Sequence, residues 1–286
     1  MNPYEPFIDG LVRVVGEAKK LPLGAWPPLP GVPLAPGAPT VLLFSPHPDD
    51  EVILGGLPLR LRREAGMKVV NVAVTQGSNP ARQAGRLQEL TECCRYIGFE
   101  LIQTRENGLE GINLQARARN PAQWTASVER IAQILSEQQP GIIFFPHDDD
   151  WNSSHIGTHH LVVEALRSLG AGFSCYTVET EFWGAMDDPN LMVESSERDL
   201  ADLIAALTFH RGEVQRNPYH LLMPGWLMDN VRRGGELVGG QGGAAPDFLF
   251  GTIYRLRRWR VGGFQPVLTR GKFLTRAELP GELFER

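Results

Sequence analysis

Cysteine is scarce in this chain, with three in 286 residues: the adjacent Cys93 and Cys94, and Cys175 alone. So few, odd in number and without metal spacing, they neither build a disulfide framework nor offer a thiolate metal site, and they point to a reduced, cytoplasmic setting. Long apolar runs are missing as well. No stretch approaches the roughly 20 residues of a membrane span, and Met1-Asn2-Pro3-Tyr4-Glu5 does not open like a secretory leader. Nor is there an excess of positive charge, since 28 Lys+Arg against 33 Asp+Glu give a net charge of −5. Nothing therefore draws the chain as a whole to nucleic acid, and Arg257-Arg258 reads as a solvated strand end. Finally, no Gly-x-Gly-x-x-Gly follows the first apolar run, which argues against a dinucleotide cofactor. Gly234-Gly235 and the glycines of 239–243 come too late and read as a mobile loop.

What is present suffices for one large domain, because 42% of the residues are apolar. Apolar runs at 41–44, 69–75, 100–104 and 142–145 read as strands, alternating with helical stretches at 51–65, 80–97 and 122–138. That alternation predicts a Rossmann-like, three-layer α/β fold with a mostly parallel sheet and C-terminal β-rich additions. Residues 1–40 are then an amphipathic helix (6–20) and a proline-rich lead-in, 41–210 the core, and 211–286 a region that shapes the substrate. Within that last region 217–220 and 229–236 are loop-prone, and 248–254 reads as a late strand.

The most informative run is Ser45-Pro46-His47-Pro48-Asp49-Asp50-Glu51, which places an imidazole and three carboxylates directly after Val41-Leu42-Leu43-Phe44. Open α/β sheets hold their ligands in the crevice beyond the carboxyl ends of the strands. His47 and Asp50, three apart across a turn, can share one cation, which leaves Asp49 to point elsewhere and handle a proton. The competing reading is that these carboxylates only complement the positive N-terminus of the following helix. A second cluster weighs against it. The run 141–146 leads into His147-Asp148-Asp149-Asp150-Trp151-Asn152-Ser153-Ser154-His155, with His159 and His160 just beyond. Two parallel strands would thus deliver His and Asp to one edge. Catalytic zinc takes three such ligands and keeps a fourth position for water, so His47, Asp50 and one later histidine predict a Zn²⁺ site.

Taken together, Pro46-His47-Pro48-Asp49-Asp50-Glu51 and the later strand with its histidine-bearing helix start resemble the PIG-L/LmbE-like family of zinc-dependent N-acetylglucosamine deacetylases, over residues 40–210. The resemblance implies that His47 and Asp50 bind zinc and that Asp49 is the general base. The family's second motif, His-Pro-Asp-His, aligned on the helix that follows, puts the third zinc ligand on His155. Its assisting histidine then falls on Asn152. That departure leaves the proton donor open between His147 and Asp49 itself. Arg86 and Glu89 form an Arg-x-x-Glu arrangement similar to the family's, whose Arg lies near the substrate; Asn107-Gly108 stands where the family often carries Asp-Gly beside the sugar. In the C-terminal region Tyr219, His220 and Arg232 are further candidates for contact with sugar hydroxyls or an anionic group.

The chemistry can be argued apart from the resemblance. Amide hydrolysis at neutral pH needs a better nucleophile than free water, which a zinc ion supplies while polarising the carbonyl. Asp49 would take the water's proton, and Asn152 or His147 would stabilise the oxyanion or help the amine leave. The expected activity is hydrolysis of the N-acetyl group of an acetamido sugar or small glycoconjugate. Two rivals share the same residues: a metal-binding carbohydrate-recognition protein without turnover, suggested by Asn152, and a metal-dependent phosphoester hydrolase using a second ion at 148–150. The expected partner is a small amino-sugar or glycoconjugate, with no nucleic acid and no membrane span; a homo-oligomer is compatible with the sequence.

Overall fold

The structure, a computed structural model, describes residues 2–284. Its strands are β1 (Thr40–Ser45), β2 (Lys68–Ala73), β3 (Glu100–Gln103), β4 (Ile142–Pro146), β5 (Cys175–Thr180), β6 (Leu191–Glu194), β7 (Gly251–Arg260), β8 (Gly263–Pro266) and β9 (Lys272–Leu274). Its helices are α1 (Glu5–Ala18), α2 (Asp50–Ile53), α3 (Leu57–Glu64), α4 (Pro80–Ile97), α5 (Leu114–Arg119), α6 (Pro121–Gln138), α7 (Ser153–Ser168), α8 (Glu197–Leu207), α9 (Arg211–Val214) and α10 (Tyr219–Leu237). One sheet runs in the order β3-β2-β1-β4-β5-β7-β6-β9, with β8 beside β7. From β3 to β5 all pairs are parallel, whereas β7 is antiparallel to β5, β6 and β8.

The apolar runs are continuous because both faces of the sheet are covered. Val41 and Leu43 of β1 enter one core cluster with residues of α3, α4, α8 and α10, whereas Leu42 and Phe44 enter the other with residues of α6 and α7. The expected three-layer, mostly parallel α/β fold is what the chain adopts. Chain order runs outward from β1 through β2 to β3 on one side and from β4 to β5 on the other. The crevice between β1 and β4 is therefore the topological switch point, where such sheets hold their ligands.

Some expectations need correcting. The helix expected over 51–65 breaks at Leu54-Gly55-Gly56, because Gly55, at φ +98°, lies so close to β7 that a Cβ there would come within 2.3 Å of Thr252 Oγ1. The segment 229–236 is not loop but the C-terminal half of α10, and Gly234-Gly235 is buried in that helix rather than mobile. The late strand starts at Gly251 and runs to Arg260, so Arg257 and Arg258 lie inside a strand paired on both sides rather than at a solvated end. All three cysteines are free and buried, and burial pushes the Cys175 thiol up to about 12. Among the described residues no helix is long and apolar enough to cross a membrane.

Candidate active site

The loop after β1 and the start of α7 bring three side chains to one point. His47 Nδ1 lies 3.3 Å from Asp50 Oδ2, His155 Nε2 lies 3.2 Å from His47 Nδ1, and His155 Nε2 lies 3.4 Å from Asp50 Oδ2. Asp50 and His155 are buried. Three ligand atoms that all offer lone pairs repel one another unless a proton or a cation sits among them. A tetrahedral ion with bonds of about 2.0–2.1 Å to nitrogen and oxygen needs ligand atoms about 3.3–3.4 Å apart, and the observed triangle fits it. Without an ion, protons fill the role. Burial works against a charged His155, but Asp50 and Asp150 more than offset it and lift the imidazole to about 9. Burial likewise raises Asp50, yet His155 and His47 hold it well below its ordinary value.

Asp150, which the sequence offered only as part of an acidic loop for a second ion, stands behind His155. It accepts backbone N–H bonds from Asn152 (2.7 Å), Trp183 (3.0 Å) and Gly184 (3.2 Å), and its Oδ1 stands 3.6 Å from His155 Nδ1. A carboxylate behind a ligating histidine fixes the ring and raises its basicity. Gly184 is required here, since a Cβ would come within 2.7 Å of the Asp149 carbonyl oxygen.

Asp49 is held in an unusual backbone state, with φ 113° and ψ −28°, and its side chain does not cap α2. For a non-glycine residue such a conformation costs on the order of 1–3 kcal/mol and persists only where its surroundings enforce it. The enforcement is visible: Asp49 N–H donates to Glu51 Oε2 (2.9 Å), and Glu51 Oε1 pairs with His210 Nε2 (2.6 Å), both side chains being buried. Arg86 Nη2 donates to the Pro48 carbonyl (2.9 Å). Burial, aided by the Asp50 charge, pushes the Asp49 carboxyl well above its ordinary value. The Glu51–His210 support spans 159 residues and carries no local signal.

His47, Asp49 and Asp50 open onto a cavity of about 520 Å³, whose walls also include Gln76, Arg82, Arg86, Trp151, Asn152, Trp183, Glu213, Arg216 and Tyr219. Asn152 caps α7, its side chain accepting from Ser154 N–H at 2.9 Å. Gln76 is 1% exposed, and neither end of its amide has a hydrogen-bond partner among the described residues. Trp183 and Tyr219 rings pack at 5.2 Å, and Trp151 is 83% exposed.

Other expected site residues lie elsewhere. His147 is buried behind the loop, not on the cavity wall; Nε2 meets the Gly184 carbonyl (2.9 Å) and Nδ1 accepts from Asp149 N–H (3.3 Å). With both ring nitrogens engaged it holds the loop and has no proton free for a substrate. Asn107 is exposed and outside the cavity lining; with Gly108 it takes positive φ values of 61° and 74°, so this pair is turn chemistry. His220 is buried on α10, and Arg232 is exposed, bonded to Asp229 on the same helix. Neither lines the cavity.

A second cluster of the same residue types, Asp148, His159 and Glu179, sits near the end of β4. Here the cation is built in. Arg255 donates to both oxygens of Glu179 (2.8 and 2.7 Å) and to Asp148 (2.7 Å), Arg257 also reaches Glu179, and His159 Nδ1 is bonded to the Pro146 carbonyl (3.0 Å).

Residues 42–166 match the family model PIG-L, described as GlcNAc-PI de-N-acetylase. The matched segment is 125 of the 286 residues. It contains the whole ligand triangle and Asp49. Comparison with curated protein sequences gives no match. Among solved structures, the N,N'-diacetylchitobiose deacetylase from Pyrococcus horikoshii is similar, at 18% identity over 79% of this chain and 85% of that one, TM-score 0.55. The A40926 pseudoaglycone deacetylase Dbv21 is similar at 17% identity over 77% and 97%, TM-score 0.56. A 4-carboxy-2-hydroxymuconate hydratase from Pseudomonas putida KT2440 is similar at 16% identity over 76% and 95%, TM-score 0.54. At such identities the likeness is one of fold, and the hydratase shows that this fold serves more than one reaction. The part of the chain after the matched segment brings Trp183, Glu213, Arg216 and Tyr219 to the cavity.

Proposed function

We propose that the protein is a zinc-dependent N-deacetylase that releases acetate from an acetamido sugar or small glycoconjugate. The observation that carries this reading is the triangle of His47 Nδ1, Asp50 Oδ2 and His155 Nε2 at 3.2–3.4 Å, with Asp49 beside it on the same cavity wall. Two imidazoles and a carboxylate are a donor set for zinc, which when bound lowers the pKa of water and polarises an acyl carbonyl. Asp49, held off the triangle by its enforced backbone, takes the proton of the attacking water. With His147 engaged elsewhere, Asp49 also returns that proton to the leaving amine, and Asn152 offers an amide N–H to the oxyanion. The carboxamide of Gln76 is a buried polar group that a substrate's acetamide can satisfy. Trp151, Trp183 and Tyr219 supply flat apolar surface for a sugar ring. Two-ion phosphoester chemistry gains no support from the acidic loop, since Asp148 is bonded to Arg255 and Asp150 to backbone N–H groups.

The experiment is an acetate-release screen over N-acetyl sugars with zinc-loaded and chelated protein. Release that depends on one tightly bound zinc is the expected result. Binding of sugars without release would move the reading to a recognition protein, and phosphate release with two metals to a phosphoesterase.

A further inference from the structure

Helix α1 stands apart from the folded body. The hydrogen bonds of residues 2–21 stay within that segment, and no side chain of α1 is buried. The lead-in that follows is fastened instead: Gly24 N–H and Trp26 Nε1 donate to Thr208 Oγ1 (3.0 and 3.2 Å), and Leu29 N–H donates to the Tyr96 carbonyl (2.9 Å). Tyr4, Phe7, Ile8, Leu11, Val12 and Val14 are each between 51% and 71% exposed. At about 100° per residue they fall, with Val15 and Ala18, on one side of the helix, whereas Asp9, Arg13 and Glu17 fall on the other. An exposed, contiguous set of large apolar side chains marks an interaction site. A lone helix of this length is marginal in water, and its two glycines and four β-branched residues lower its propensity further. Covering the apolar face supplies the stability that α1 cannot draw from its own sequence.

Three features of α1 identify what covers it. Tyr4, Phe7, Leu11, Val14 and Ala18 alternate spacings of three and four, the repeat with which one helix packs along another. Size is graded along that seam, from Tyr4 and Phe7 at one end to Val14 and Ala18 at the other, so two copies running antiparallel set large against small around Leu11. Charge is graded too, since Glu5 and Asp9 come before Arg13, Lys19 and Lys20. In an antiparallel pair Glu5, on the flank beside Val12, comes opposite Lys19 of the second copy. None of these charges has an ion-pair partner among the described residues. A membrane surface fits less well, because a helix lying in one carries mainly Lys and Arg on its polar face, and here Asp9 and Glu17 share that face with Arg13. We propose that α1 is a dimerisation arm, its apolar face packed antiparallel on α1 of a second copy of this chain. A two-fold axis uses every contact twice, and two such faces together offer roughly the 1,000 Å² that a specific interface needs. The proposal is independent of the deacetylase reading.

The test is sedimentation equilibrium of the full chain across micromolar concentrations, where the native protein should be a dimer. Leu11→Glu sets two carboxylates face to face at the centre of the seam and should raise the dimer Kd by about 100-fold or more, the effect of losing a central anchor. A cooperative thermal transition shows that the variant is folded, as expected for a helix with no hydrogen bond to the body. Glu5→Lys and Lys19→Glu should each weaken self-association by about 2–10-fold, through two exposed ion pairs, and a mixture of these two variants should form the heterodimer in preference to either homodimer. A native protein that stays monomeric, or a dimer that Leu11→Glu leaves intact, would overturn the proposal. Mixing without preference for the heterodimer would refute the antiparallel arrangement. A native monomer that co-sediments with phosphatidylcholine/phosphatidylglycerol vesicles, and fails to do so as Leu11→Glu, would put a membrane surface in place of the second copy and overturn the proposal as well.

Discussion

Of the three groups of metal-ligating side chains among the described residues, two made only of histidine and carboxylate differ in what supplies their positive charge. In Asp148, His159 and Glu179 the positive charge is covalently part of the chain, because the Arg255 fork spans Glu179 and Asp148 and Arg257 joins it. In His47, Asp50 and His155 no arginine or lysine approaches the three ligand atoms among the described ion pairs; only their own imidazoles face the carboxylate. Residue type alone therefore does not mark a metal centre. What sets the His47 triangle apart is a set of lone pairs converging on a point that no arginine or lysine reaches among the described ion pairs.

The strongest way to break that contrast is to remove one residue from each cluster. His155→Ala should abolish metal retention and activity together, as three protein ligands leave no spare donor, whereas His159→Ala should keep the metal content of the native protein. Elemental analysis after dialysis reads both, and retention in His155→Ala would refute the assignment. Next in size is Asp49→Asn, which should keep the metal while lowering kcat by about 10²–10⁴-fold, the usual contribution of a positioned base; near-native turnover would return Asp49 to a role in the backbone alone. Arg255→Met attacks the other cluster. It leaves the fully buried Glu179 with Arg257 as its remaining guanidinium and should cost about 3 kcal/mol, toward the lower end for breaking a buried pair. Thermal denaturation measures the loss, with metal content unchanged.

The smallest effect is one of pH. Burial raises the Asp148 carboxyl, but the hydrogen bond and charge of Arg255 more than offset it and take it from the ordinary 3.8 to about 2. A carboxyl depressed on folding contributes stability that is present above the unfolded value and is lost as pH falls through the folded one. The Tm difference between the native protein and Asp148→Asn should thus be constant above about pH 4 and vanish between that pH and about 2. A difference that persists below that window would mean that Arg255 does not act through the charge of Asp148.

Much of the fold could be read from sequence because β1, β2 and β4 are buried on both faces, and such strands appear as unbroken apolar runs between helical stretches. The ligand triangle was accessible for a related reason. His47 and Asp50 share one short motif, and His155 falls in the first turn of the helix after a neighbouring strand. Side-chain direction was not accessible. His147 follows β4 directly, yet the fold of 147–150 turns it toward the Gly184 carbonyl, and Tyr219 and His220 part company because successive residues of a helix point about 100° apart. Asn107-Gly108 resembled a recognition motif but meets the requirements of a turn. The contacts that sequence reasoning missed altogether, Glu51 with His210 and Arg82 with Glu213, join residues 159 and 131 positions apart through packing that no local pattern announces.

The ligand triangle has one more consequence, which concerns how the chain folds. His47 and His155 are 108 positions apart and meet only after β1 and β4 have paired. An ion held between them would tie off that long loop as a cross-link does, and an unfolded chain would offer no comparable site. A metal ion bound there would stabilise the paired sheet by mass action, with a strength that rises with the free metal concentration.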